Sequence, residues 1–296
     1  MADSNRVLGI IGGSGLYQMD AVRNPEWRRV DSPWGRPSDD LLFGAIGDLP
    51  VVFLPRHGRS HDQAPSTINY RANIDALKRA GVTDLISLSA VGSLREEHAP
   101  GSFVLVDQFI DRTFAREKSF FGQGFVAHVS MAHPVCPNLL DALAAAGEGA
   151  GIPLHRGGTY LVMEGPQFSS LAESNLYRSW GCTVIGMTNM PEAKLAREAE
   201  LPYASVAMVT DYDCWHEDHE HVDVASVVAV LHANADKARS LVAAVAGVLG
   251  PTRKACSLGI ETALDTAVIT PREAWDPALV AKLDAVAGRV IGPKAR

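Results

Sequence analysis

The stretch AMVTDYDCWHEDHEH, residues 207–221, brings carboxylates and imidazoles close together at the end of an apolar run. Asp211 and Asp213 follow Thr210, and His216, His219 and His221 come next. In an extended segment, side chains two residues apart project to one side, so both carboxyls would face one pocket. Each could accept a hydrogen bond from a planar heterocycle bearing ring N–H and NH2 groups, and a protonated one could also donate. The histidines stand among Glu217, Asp218 and Glu220 without H-E-x-x-H or another known metal spacing. A solvated charged loop is therefore favoured over a metal site, and no metal is expected.

Five other stretches could meet those carboxyls. GGSGL, Gly12 to Leu16, offers consecutive N–H groups and the Ser14 hydroxyl to an anion, or is only a tight turn. It matches neither G-x-G-x-x-G nor the Walker A pattern. In LPRHGRSH, Arg56 has the side chain best shaped to grip phosphate, with His57, Arg59 and His61 nearby; a solvated basic turn is the competing reading. SLSAVGSLREE places Ser89, the Ala90 N–H, Gly92 and Ser93 at another strand-to-loop junction. GMTNMPEAKLAREA places Met187 and Thr188 at a strand end. Several small-residue junctions plus an arginine suggest an oxyanion pocket assembled from distant loops. In MEGPQFSSLAES, Phe168 precedes Ser169 and Ser170, which could cap a helix with Glu173; the aromatic could equally stack on a planar ligand.

The elements that must carry these residues are legible from apolar runs. Strands are expected at 7–11, 41–46, 51–54, 85–88, 103–106, 159–162, 184–187 and 204–209, and helices at 68–79, 138–146, 170–180, 191–198 and 222–248. Pro191 suits a first helical position, and Gly81 and Gly181 suit helix ends. The alternation favours an α/β fold around a central sheet. Residues 107–133 match neither pattern and read as a long loop or a subunit contact.

The chain has 296 residues, 47% of them apolar and 21% charged, with net charge −7 and a pI near 5.8. That length suits one large α/β domain or two small ones. The balance is ordinary for a soluble globular protein and argues against a broad nucleic-acid or membrane surface. No apolar run is long enough to span a bilayer, and MADSNRVLGI does not read as a signal peptide. Cys136, Cys182, Cys214 and Cys256 are scattered, which suits reduced thiols in a cytoplasm.

Taken together, GIIGGSGLY, LPRHGRSH, INYRANIDALK, SAVGSLREE, MEGPQFSSLAES, GMTNMPEAKLAREA and AMVTDYDCW, in order over about residues 7–240, resemble the trimeric purine nucleoside phosphorylase family. Within it they resemble the branch acting on S-methyl-5'-thioadenosine. The resemblance implies a single α/β domain over 1–296 around a distorted mixed sheet, in a homotrimer with the site at the subunit interface. It implies phosphorolysis, in which phosphate displaces the purine from C1′ with inversion, without metal or organic cofactor; inorganic phosphate is a co-substrate.

Carried over residue by residue, the phosphate site is Ser14, Arg56, His57, Ser89, Ala90 through its N–H, and Thr188. Met187 contacts the ribose and Phe168 packs on the base. Asp211 bonds N7 and acts as general acid, while Asp213 holds the 6-amino group. Relatives acting on 6-oxopurines carry Glu where Ser169 stands and Asn where Asp211 stands, so the 6-aminopurine reading is preferred. Methylthioinosine or general purine nucleosides are the alternative substrates. Val224 replaces the histidine that binds a 5′-hydroxyl in those relatives. With Val227 one turn on, it suits a methylthio group. His61 lines the same cavity, and His128 and, by weak alignment, Ile269 are assigned to the neighbour's 5′ pocket. Ser14 and Ser89 replace threonines of the animal enzymes, and Asn189 and Met190 also depart from them. A histidine-rich metal hydrolase and a non-catalytic nucleoside binder are the readings from other classes.

Overall fold

The computed structural model describes residues 4–13, 15–17, 19–216 and 224–292, apart from the side chains of 224–229 and 231. The strands are β1 Ser4–Asn5, β2 Leu8–Gly12, β3 Val22–Arg28, β4 Leu41–Ile46, β5 Leu49–Pro55, β6 Asp84–Ser93, β7 Phe103–Val106, β8 Gln108–Arg112, β9 Leu154–Arg156, β10 Thr159–Met163, β11 Val184–Gly186, β12 Tyr203–Asp211 and β13 Thr252–Arg253. The helices are α1 Tyr70–Arg79, α2 Pro137–Gly149, α3 Leu171–Ser179, α4 Asn189–Glu198, α5 Val224–Leu249, α6 Pro277–Lys282 and α7 Gly288–Ile291.

Every expected strand and helix is present, with ends displaced by a few residues; the expected helix start at Val222 lies outside the described residues. The α/β expectation holds, with strands β2 to β12 in one mixed eleven-stranded sheet. β3 and β8 were not expected. β3 contains Pro25, tolerated because the strand is an edge and its pairing with β4 is irregular between Arg23 and Glu26. β8 lies in the stretch that matched neither pattern, and pairs with β10 alone. α1 and α3 end as expected at Gly81 and Gly181, both at positive φ. In each, the next residue donates back into the last turn, Val82 to Leu77 and Cys182 to Tyr177. Ser170 and Glu173 form the expected capping box at the start of α3.

β6 is the pivot of the sheet. Its first half pairs parallel with β2, from Asp84 to Ser87. Its other edge pairs parallel with β12. Only its last residues, Gly92 and Ser93, pair with β11, and they do so antiparallel. Between Ser87 and Gly92, therefore, one edge of β6 has lost β2 and not yet met β11. Open α/β sheets gather ligands where neighbouring strands part in this way.

At the opposite end of β6, the chain termini are tied down by charge. Asp84 Oδ2 accepts from Arg253 Nε at 2.8 Å and Arg6 Nε at 3.3 Å. Glu200, in the left-handed region just past α4, accepts from the Leu264 N–H at 2.9 Å and takes Arg289 at 2.6 and 2.8 Å.

Candidate active site

A cavity of about 330 Å³ opens on that unpaired edge, and Leu88, Ser89, Ala90, Val91 and Gly92 line it. The ends of β5, β11 and β12 and the glycine loop after β2 complete the wall. α5 passes beside it, since Ala235 lines it and Arg239 donates to the Gly15 carbonyl at 2.7 Å.

One end gathers a guanidinium, hydroxyls and a backbone N–H, a set that suits an anion. Arg56 lines it and is 2% exposed. The fork expected to grip phosphate instead grips Glu192, through Nε at 2.8 Å and Nη2 at 3.2 Å. Nη2 also donates to Ser87 Oγ at 2.6 Å and Nη1 to the Leu88 carbonyl at 3.0 Å. Nη1 carries two N–H groups but has one acceptor among the described residues, so it can still donate into the cavity. In a strand, a residue's C=O and N–H point the same way and the direction repeats every second residue. Because the Leu88 carbonyl faces Arg56, the Ala90 N–H faces the open edge. Thr188, before α4, supplies another hydroxyl.

His57 Nδ1 lies 2.8 Å from the Gln63 carbonyl, and its ring stacks on His61 with centroids 4.7 Å apart. Burial holds the His57 imidazole neutral, pushing its pKa down to about 4. Ser89 donates to Asn189 Oδ1 at 2.8 Å, and Asn189 Nδ2 donates to Ser205 Oγ at 3.0 Å and to the Tyr203 hydroxyl. Tyr203 in turn donates to Glu192 at 2.9 Å.

The other end holds Asp211 and Asp213. They converge, but not by extended alternation. β12 carries a bulge between Val209 and Asp211, which re-aims the strand end. Asp213 then sits in a turn at φ 53°, where its N–H donates to Asp211 Oδ1 at 2.8 Å. Gly92 lets both lie over β6, since a Cβ there would stand 2.8 Å from Asp211 Oδ1. Burial raises the Asp211 carboxyl above its ordinary range, against the Thr210 hydroxyl bond at 2.7 Å. Burial and the adjacent Asp211 push Asp213 up to about 6. Asp213 Oδ2 is buried beside Ser174 and Ser169 and has no hydrogen-bond partner among the described residues. Among the described residues, neither carboxylate has a cation beside it. Met163, Ile185, Met187 and Met208 give an apolar middle, with Phe168 at 47% exposure on the rim.

Of the residues singled out in the sequence, Arg56, His57, His61, Ser89, Ala90, Phe168, Met187, Thr188, Asp211 and Asp213 share this cavity. Ser169 adjoins it, its carbonyl accepting from Cys214 Sγ. Ser14, His219 and His221 lie outside the described residues, as do the side chains of Val224 and Val227 at the start of α5. His216 pairs with Glu96 at 3.0 Å and packs on Tyr212, and among the described residues no group of three or more ligating side chains is placed for a metal. His128 and Ile269 do not line the cavity. They lie exposed on two segments joined by the Ala127–Val268 bridge, where Ile269 N–H donates to Val126 and His128 N–H to Ala267.

Sequence reasoning missed Glu192, Asn189 and Tyr203, which hold the anion end, and the Arg116–Glu164 pair behind it. Arg116 Nη1 donates to the Met187 and Met190 carbonyls, both at 2.6 Å, gripping the backbone on either side of Thr188. Glu164 takes Arg116 Nε at 3.0 Å and the Phe114 and Ala115 N–H groups. The available signal was a glutamate directly after Pro191 in the first turn of a helix whose residues are nearly all buried.

A family model described as the phosphorylase superfamily matches residues 7–247. The S-methyl-5'-thioadenosine phosphorylase of Cereibacter sphaeroides is 61% identical, over 96% of this chain and 98% of its own. That of Rhodospirillum rubrum is 62% identical, over 97% of each. A crystal structure of a methylthioadenosine phosphorylase from an Antarctic soil metagenomic library aligns with TM-score 0.88 at 44% identity, over 96% of this chain and 99% of its own. The Schistosoma mansoni methylthioadenosine phosphorylase in complex with adenine aligns with TM-score 0.79 at 37% identity, over 83% and 92%.

Proposed function

The chain belongs to the phosphorylase superfamily, and we propose that it splits S-methyl-5'-thioadenosine with phosphate into adenine and 5-methylthio-α-D-ribose 1-phosphate. It is a pentosyltransferase. The observation that carries this reading is the polarity of one cavity: a buried arginine with hydroxyl and N–H donors at one end and, at the other, the half-buried Asp211 and buried Asp213 with no cation beside them among the described residues.

Phosphate is a weak nucleophile toward C1′, so the protein must position it and stabilise the departing base. Arg56 Nη1, the Ala90 N–H, Thr188, Ser89 and His57 hold the phosphate, with Ser14 from the glycine loop. Met187 faces the ribose and Phe168 the purine. Asp211, its carboxyl held toward the neutral form, donates to N7 as the C1′–N9 bond breaks. Asp213 accepts from the 6-amino group. Ser169 stands beside it and leaves room that a glutamate would fill. Val224 and Val227, at the start of the helix beside the cavity, form an apolar end for the methylthio group.

The assembly is a homotrimer in which His128 and Ile269 of one subunit close the 5′ pocket of the next; their exposure outside the subunit's own cavity, on two bridged segments, supports this. Nucleoside and phosphate are the partners, with neither nucleic acid nor membrane. Among the described residues no helix is long and apolar enough to cross a membrane. The four cysteines are free thiols, which suits a cytoplasmic enzyme. The reaction needs no cofactor beyond phosphate.

The test is release of free base from S-methyl-5'-thioadenosine, adenosine, methylthioinosine and inosine, with and without phosphate, and with chelator. Phosphate-dependent release of adenine, undiminished by chelator and with inosine nearly inert, is expected. Preference for inosine or methylthioinosine would reassign the two carboxyls to a different purine, and phosphate-independent cleavage would remove the phosphorylase reading.

A further inference from the structure

Two side chains at the anion end have their hydrogen-bond polarity set from behind. A carboxylate only accepts, so Tyr203 must donate its proton to Glu192. The Tyr203 oxygen is then an acceptor toward Asn189, which fixes the Asn189 amide with Nδ2 on Tyr203 and Ser205 and Oδ1 on Ser89. Asn189 Oδ1 takes the only proton of the Ser89 hydroxyl, at 2.8 Å. Ser89 therefore has no proton left for the cavity and offers only lone pairs, one of them within reach of the buried Tyr160 hydroxyl. The same logic holds at His57. The Gln63 carbonyl only accepts, so Nδ1 bears the ring proton and Nε2 of the neutral imidazole is a lone pair. Among the described residues, the charged and titratable groups acting on His57 are Arg56, His61 and Glu192.

We infer that the anion end is wired to accept a proton from its ligand, so that it takes an oxyanion bearing an O–H and discriminates against sulfate. This deepens the phosphorylase reading and rests on it. Hydrogen phosphate and hydrogen arsenate can present one P–O–H or As–O–H to Ser89 Oγ or His57 Nε2, while their bare oxygens take Arg56 Nη1, the Ala90 N–H and Thr188. Sulfate has the same charge and nearly the same shape as hydrogen phosphate but no proton. It would set its own lone pairs against those of Ser89 and His57. A site built to hydrogen-bond a ligand O–H discriminates strongly against an analogue lacking it. Glu192, Tyr203, Asn189 and Gln63 thus act as positioning residues, setting the direction of bonds they do not themselves make to the anion.

The experiment is calorimetric titration of the full chain with phosphate, arsenate and sulfate at pH 8, where phosphate and sulfate are both dianions. Phosphate-dependent cleavage of S-methyl-5'-thioadenosine is assayed on the same preparations. Phosphate and arsenate should bind alike, and sulfate on the order of 100-fold more weakly. Asn189→Ala frees the Ser89 hydroxyl to rotate and donate, and His57→Gln replaces a fixed acceptor with an amide that can donate. Both should narrow the phosphate-to-sulfate ratio by raising sulfate affinity, a gain that structural damage would not produce. Sulfate binding within about threefold of phosphate, in an enzyme that still cleaves its nucleoside with phosphate, overturns this inference and leaves the function standing. Variants that weaken both anions equally overturn it too. An enzyme that binds no phosphate and cleaves without it overturns both readings.

Discussion

The two ends of β6 carry acidic groups in opposite circumstances. At its start, Asp84 is buried between Arg6 and Arg253, and Arg253 also reaches Glu261. At its end, half-buried Asp211 and buried Asp213 lie over Gly92 with hydroxyl and N–H neighbours but, among the described residues, no cation. Paired carboxylates hold the chain together, whereas unpaired ones carry a raised pKa and can exchange a proton with a ligand. Burial alone does not separate structure from chemistry; the partner does.

The largest effect should come at the unpaired end. Asp211→Asn should lower kcat for phosphorolysis by roughly 10²–10⁴-fold, the usual worth of a positioned acid, with little change in the urea midpoint. A variant with unaltered rate and pH profile would end the general-acid assignment. At the paired end the reverse is expected. Asp84→Ala leaves two buried guanidiniums without their shared carboxylate and should destabilise by about 3–5 kcal/mol, read from urea unfolding, with kcat unchanged.

Asp213 tests the contrast by pH. Its folded pKa, about 6, lies above the unfolded value, so the folded state holds its proton more tightly. That stabilisation is complete below the unfolded pKa and is lost as pH rises through 6. Asp213→Asn should therefore remove that fall and raise stability at pH 7–8 relative to the parent, by about 2–3 kcal/mol, while weakening the preference for 6-aminopurines. A parent whose urea midpoint is flat between pH 4 and 7 would contradict it. The smallest effect is a control on local structure: Ser170→Ala breaks the capping box of α3 and should cost about 1 kcal/mol in the same assay, with kcat nearly unchanged.

Periodicity made the central strands and long helices readable, because each satisfies its own pattern locally. β3 and β8 were hidden because edge strands need not alternate cleanly and one contains a proline. The two aspartates were found by type and spacing, yet the geometry bringing them together is a bulge and a left-handed turn rather than an extended strand. Arg56 was placed at the anion site, but its chief partner, Glu192, lies 136 residues away. No local pattern announces such a pair, nor the chain of bonds from Glu192 through Tyr203 and Asn189 to Ser89. The polar residues lining the cavity were visible in the sequence, while those that orient them emerged only from the fold.

The clasp of Arg289 on Glu200 has a consequence for synthesis. Glu200 follows α4 directly, yet its cation is encoded 89 residues later. A nascent chain that has already delivered β12 and α4 from the ribosome still has this carboxylate without its guanidinium. Translation must run through residue 289 before that buried charge is matched, so a chain stopped short of α7 would carry an intact set of cavity residues on a body whose last ionic lock is open.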